Sequence, residues 1–296
     1  MRHREAQFEG RGGLAIHWQA WRPARTSHAV VVIAHGLGEH GGRYAHVAQR
    51  LVAQGCAVYA IDHRGHGRSA GRRAYLDRWD AAVADMDVLV EHARQQHPAL
   101  PLFLLGHSMG GALSLAYAAR HPKKLSGLML SGPAVALDGA PPFIKPVARL
   151  LSRVLPTLGL FGIDPGAVSR DPDAIRGYRE DPLNCHGKVP ARTLAELIGL
   201  VETMPKTLRA LRMPLLIMHG TADRLAGVAG SQRVLAQVRS ADKTLLLYEG
   251  LYHEIFNELP ADRARVLADL VAWIEQRRVP VAAVTRRRKT GMRAAK

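Results

Sequence analysis

Leu102-Phe103-Leu104-Leu105-Gly106-His107-Ser108-Met109-Gly110-Gly111 is the stretch that decides the fold. Four apolar residues read as a buried strand and lead straight into Gly-x-Ser-x-Gly. A helix-like segment, Ala112 to Ala119, follows at once. This is the strand–turn–helix setting of a nucleophile elbow. The turn is tight enough to demand a strained backbone at Ser108. Gly106 and Gly110 are expected because a Cβ at either place would strike the neighbouring strand or helix. The result is a hydroxyl held at a helix N-terminus, where partial positive charge favours a developing anion.

Outward from this motif, apolar runs recur at Val30 to Ala34, Ala57 to Ile61, Leu125 to Leu130, Leu215 to Met218 and Leu245 to Tyr248. They lack alternation, as parallel strands covered on both faces should. Helical patterns lie between them at 43–54, 78–97, 110–121, 226–239 and 261–278, and residues 7–21 predict an edge hairpin around Gly12-Gly13. Alternating strand and helix predicts an α/β fold with a mostly parallel central sheet and helices on both faces. The rhythm breaks from Ala134 to Leu211, where no strand is evident and prolines recur at 141, 142, 146, 156, 165, 172 and 182. That segment is read as an inserted helical cap over the carboxyl edge of the sheet, where ligands of open α/β sheets bind. The expected organisation is a core at 1–133 and 212–279, a cap at 134–211 and a basic, disordered tail at 280–296.

At 296 residues, with 47% hydrophobic and 22% charged residues, the chain falls in the soluble globular class and can bury a large core. The first ten residues hold no apolar h-region, and no run approaches the length of a membrane-spanning helix, so a cytoplasmic protein is expected. Cys56 and Cys185 stand far apart and suggest neither a disulfide nor a metal framework. The net charge is +16, and Thr285 to Lys296 carries six cations with no acid. Such a tail is either a silent solvated extension or a contact for anionic lipid or, non-specifically, nucleic acid. No groove-reading motif accompanies it, so specific nucleic-acid binding is not expected. In the cap, Phe143, Val147, Leu150, Leu151, Val154 and Leu158 fall on one helical face and Lys145, Arg149 and Arg153 on the other. That stripe either packs on the domain or borders the site mouth and touches lipid, which would make the protein peripheral to a membrane.

A serine hydroxyl needs a base, and the base needs an orienting acid. In this strand order the acid and then the histidine should follow later core strands. His219-Gly220-Thr221-Ala222-Asp223 follows one apolar run and Glu249-Gly250-Leu251-Tyr252-His253 the next, which nominates Asp223 and His253. Glu254 and Asp242 are rivals for the acid but do not follow a core strand in the correct order, and His219 reads as structural. An oxyanion hole needs two N–H donors. The amide after the nucleophile, Met109, is one; the amide of Leu37, in the loop His35-Gly36-Leu37-Gly38, is the other. His35 is expected to brace that loop. No metal or cofactor is called for.

Five motifs together resemble the monoacylglycerol lipase family: the loop His35 to Tyr44, Asp62-His63-Arg64-Gly65-His66-Gly67-Arg68-Ser69, Gly106 to Gly111, Gly220 to Leu225, and Tyr248 to Glu254. The likeness runs from about residue 8 to 277, with Tyr178 to Leu183 the best match in the cap. The resemblance implies an α/β-hydrolase fold and a serine hydrolase that cleaves monoacylglycerol, or a related lipid ester, to fatty acid and glycerol. It also implies a polar glycerol pocket at Glu39, Arg43 and Tyr178 and an apolar acyl channel beneath the cap. Glu39 and Arg43 could equally form a salt bridge that only shapes the loop. The competing readings are a lysophospholipase or carboxylesterase on the same scaffold, and a non-catalytic lipid or polyanion binder.

Overall fold

Every central strand is buried on both sides because its odd and even residues feed two separate cores. The computed structural model describes residues 1–136 and 143–278. Strands β1 (Arg2–Glu9) and β2 (Ala15–Arg22) form an antiparallel hairpin that turns through Gly12 and Gly13, both at φ +79°, a conformation glycine adopts at little cost. Then follow β3 (Ala29–Ala34), α1 (Ala45–Ala53), β4 (Cys56–Ile61), α2 (Trp79–Gln96), β5 (Leu102–His107), α3 (Met109–Arg120) and β6 (Gly127–Ser131). An insertion carries α4 (Ile144–Val154), β7 (Gly159–Phe161), α5 (Pro172–Glu180), β8 (Val189–Pro190) and α6 (Ala191–Ala210). The chain returns through β9 (Leu215–Gly220), α7 (Val228–Gln237), β10 (Lys243–Tyr248) and α8 (Pro260–Glu275).

The eight-stranded sheet has the order β1-β2-β4-β3-β5-β6-β9-β10, antiparallel at the first two pairings and parallel from β4 onward. Val30, Val32 and Leu104 face a core shared with Met86 and Leu89 of α2 and Leu113 of α3. Val31, Ile33 and Leu105 face the other core, with Val47 and Leu51 of α1 and Leu270 of α8. From β3 the chain moves to β4 on one side and then back past β3 to β5 on the other. The loops after β3 and β5 therefore leave the sheet in opposite directions, and the crevice between them is where such sheets bind ligands.

Two expectations for the insertion are corrected. It does contain strands: β7 pairs antiparallel with β8. Segments of three and two residues are too short to show a period, and Pro190 ends the second. The apolar stripe of α4 also does not pack on the domain. Only Ala148 and Ser152 of that helix are buried, while Phe143, Leu150 and Val154 are each more than 60% exposed. Small residues let α4 lie close to α6, and Arg149 reaches across to Glu202 at 2.6 Å. The larger side chains are thereby left facing water. The expected basic tail at 280–296 lies outside the described residues. Among the described residues, no helix is long and apolar enough to cross a membrane.

Candidate active site

Ser108 sits between β5 and α3 at φ 50° and ψ −117°, a left-handed conformation rare for a residue with a side chain. The packing around the turn explains why such strain persists. A Cβ on Gly106 would stand 2.6 Å from the carbonyl oxygen of Gly110 and 2.8 Å from Cα of Gly111, and one on Gly110 would strike the carbonyls of Ala34 and His35. Glycine lets β5, α3 and the end of β3 converge on one point.

Asp223, after β9, and His253, after β10, are brought together: His253 Nδ1 lies 2.6 Å from Asp223 Oδ2. The other carboxylate oxygen accepts the N–H groups of Leu225 at 2.8 Å and Ala226 at 2.9 Å. Burial opposes ionisation of Asp223, but hydrogen bonds from His219 and His253 outweigh it and hold the carboxyl well below the usual range. With Nδ1 engaged, Nε2 is the nitrogen of His253 left to face Ser108, and both residues line one cavity. Among the described residues Ser108 Oγ makes no hydrogen bond; catalytic contacts commonly tighten only when substrate is present. The His107 ring lies against His253 with centroids 4.6 Å apart, and burial together with that neighbour pushes His107 down to about 3. Asp242, a sequence rival for the acid, is tied to Arg277 at 2.6 Å, away from this cluster.

The loop after β3 is braced by hydrogen bonds that do not engage the Leu37 amide. His35 donates Nδ1–H to the Gly36 carbonyl at 2.7 Å and accepts the His63 N–H at Nε2, so it braces the loop. Glu39 Oε1 takes the N–H of Gly36 at 2.6 Å and the hydroxyl of Tyr44 at 2.7 Å. The Leu37 amide has no acceptor among the described residues. Met109, first residue of α3, likewise presents an N–H with no intrahelical partner. Both residues line the cavity beside Ser108.

Arg43 is where sequence reading was least informative. Its Nη1 donates to Glu39 Oε2 at 2.8 Å and to Glu254 Oε1 at 2.7 Å, and Nη2 donates to Glu254 Oε2 at 2.7 Å. Its guanidinium also lies 4.9 Å from the centre of the Tyr178 ring. Arg43 therefore stands behind the cavity wall, whereas Glu39, Tyr178 and Glu254 are on it. Burial would raise the Glu254 carboxyl, but Arg43 holds it at about 2. Glu254, considered in the sequence only as a rival acid, is a structural partner of Arg43 from 211 residues away. No local sequence signal announces that pairing.

The cavity of about 260 Å³ has two characters. The polar lining is Glu39, Glu254 and Tyr178, whose hydroxyl is buried with no hydrogen-bond partner among the described residues. The apolar lining comes from Ile163, Leu194, Leu197 and Val201 of the insertion, with Phe161 and Leu225 more than 40% exposed. Among the described residues no cluster of side chains has the makings of a metal site.

Comparison with known proteins identifies the family. The family model described as serine aminopeptidase, S33 matches residues 25–260. A monoacylglycerol lipase of Mycolicibacterium smegmatis is 48% identical over 91% of this chain and 96% of its own length. The crystal structure of a Paleococcus ferrophilus monoacylglycerol lipase superposes with a TM-score of 0.77 at 32% identity, covering 93% of this chain and 98% of that one. A soluble variant of the Saccharomyces cerevisiae monoglyceride lipase, solved with a substrate analog, gives a TM-score of 0.83 at 25% identity over 93% and 94% of the two chains. The chain belongs to the monoacylglycerol lipase family of α/β-hydrolases, and it is a carboxylic ester hydrolase.

Proposed function

We propose that the protein cleaves monoacylglycerols to fatty acid and glycerol, with Ser108 as nucleophile, His253 as base and Asp223 as the acid that orients it. His253 Nε2 takes the Ser108 proton as Oγ attacks the ester carbonyl. The amides of Leu37 and Met109 receive the oxyanion. The tetrahedral species collapses as His253 returns the proton to the glycerol oxygen, leaving an acyl-enzyme. Water, deprotonated by His253, then attacks the acyl carbon, and Ser108 leaves with that proton.

The observation that carries this reading is the cavity's split character around one serine. A buried phenol without a partner, beside two carboxylates, suits an alcohol rich in hydroxyls and disfavours one that would leave these groups unpaired. Glu39 and Tyr178 would contact the glycerol, and Arg43 would act by holding Glu39 and Glu254 in place. The acyl chain would lie along Leu194, Leu197 and Val201. The exposed residues Phe143, Leu150 and Val154 favour peripheral contact with a lipid surface, with Lys145, Arg149 and Arg153 near head groups. The basic tail would add to that attraction.

The test is a panel sharing one acyl chain: the monoacylglycerol, the methyl ester and the lysophosphatidylcholine. The highest kcat/KM is expected for the glycerol ester. Faster turnover of the lysophospholipid would defeat the assignment.

A further inference from the structure

Asp223 Oδ2 serves two imidazoles. His253 Nδ1 approaches it at 2.6 Å from one side, and His219 Nε2 at 3.0 Å from the other. His219 is the penultimate residue of β9 and is fully buried. Its Nε2 also lies 2.8 Å from the carbonyl oxygen of Ala226, and its Nδ1 lies 2.7 Å from Ser231 Oγ in α7. A carbonyl oxygen can only accept, so Nε2 must carry a hydrogen, shared between Ala226 and Asp223. Ser231 can supply a hydrogen to Nδ1, which completes a neutral imidazole with every polar atom satisfied.

We infer that His219 is a positioning residue for the ester cleavage: its neutral Nε2–H competes with His253 for one oxygen of Asp223. That competition limits how tightly the carboxylate holds a proton on His253. The inference rests on the reading of Asp223 as the orienting acid. Four N–H groups converge on this carboxylate, from His219, His253, Leu225 and Ala226. Each draws charge from the oxygens, so the pull on a protonated His253 is weaker than that of a carboxylate with fewer donors. Ala226 and Asp223 set the tautomer, since with hydrogen on Nδ1 instead, the Nε2 lone pair would face two oxygens. His107, Glu254 and, through Glu254, Arg43 are the other charged or titratable groups about His253, and the variants below leave all three in place.

His219→Leu removes the donor while keeping bulk, and His219→Gln keeps an N–H. In His219→Leu the acid limb of the kcat/KM–pH profile should move upward by about half a pH unit, with KM for a soluble ester unchanged. His219→Gln should restore the limb to its original position. If the leucine variant loses thermal stability and kcat while the limb stays put, His219 is only structural and the inference is overturned. Asp223→Asn separates the two layers. Near-normal activity in that variant would sink the triad reading and this inference with it, whereas an inactive Asp223→Asn with an unmoved limb in His219→Leu sinks the inference alone. NMR of the 15N-histidine-labelled native protein avoids any folding defect. The expected result is His219 carrying hydrogen on Nε2 alone at neutral pH; hydrogen on Nδ1 contradicts the inference.

Discussion

The polar wall of the cavity and the exposed face of the cap helix α4 are held by different physics. Around Glu39 and Glu254, buried charges are matched one against another: Arg43 bridges both carboxylates, and Glu39 also receives a backbone N–H and a tyrosine hydroxyl. Around α4, large apolar side chains face water, and only Ala148 and Ser152 of the helix are buried. The first arrangement joins the loop carrying Leu37 to the loop carrying His253, so its geometry is fixed before substrate arrives. The second leaves apolar surface uncovered within the protein, which is tolerable where a lipid surface completes it. Substitutions at the polar wall should therefore cost folding and catalysis together. Substitutions on the exposed face should cost neither in free solution.

The largest expected effect lies at Ser108, on the cavity wall. Ser108→Ala should lower kcat by about 10⁴-fold or more, with thermal stability unchanged or raised as the nucleophile site is relaxed. Residual activity within tenfold of the native enzyme would remove Ser108 from the mechanism. Next, Glu254→Ala leaves Arg43 short of a buried partner and should destabilise the fold by about 3 kcal/mol, read from urea unfolding. Its kcat should fall with it, because the Gly36–Leu37 loop hangs on the same network. A variant of native stability would mean that the pair is dispensable and would blur the contrast between the polar wall and the exposed face.

The pH dependence of stability follows from two buried histidines. Burial pushes both His63 and His107 down to about 3 from the ordinary 6.5. The unfolded chain takes up these protons more readily than the folded one, so their contribution is fully present above about 6.5 and is lost as pH falls toward 3. Stability should decline as pH falls through that window. Denaturation curves from pH 7 to 4 measure the slope, and a flat profile would contradict it. The smallest expected change in stability is on the cap. Leu150→Ser with Val154→Ser should alter folding by less than about 0.5 kcal/mol, while binding to anionic vesicles drops several-fold and hydrolysis of a soluble ester is kept. Unchanged vesicle binding would leave the exposed face without a lipid role.

The legible part of this molecule was the part organised along single elements. Val30 to Ala34, Leu102 to Leu105 and Leu215 to Met218 announced themselves because both faces of each strand are buried, and the loops that follow them carry Leu37, Ser108 and Asp223. What the chain could not announce were relations between distant residues. Arg43 and Glu254 meet only after the sheet brings β3 and β10 loops to one edge. His219 looked structural because the second hydrogen bond to Asp223 is invisible until β9 and α7 are placed. The stripe on α4 was plain in its periodicity, but a period says which residues share a face and not what that face meets. The strands of the insertion were simply too short to show.

Labelling with a fluorophosphonate, read by intact mass and peptide mapping, tests the central claim most directly. One equivalent should add to the native protein, confined to the peptide bearing Ser108. Labelling should be lost in Ser108→Ala and slowed by saturating monoacylglycerol. Adduct on another residue, or undiminished labelling of Ser108→Ala, would contradict the account.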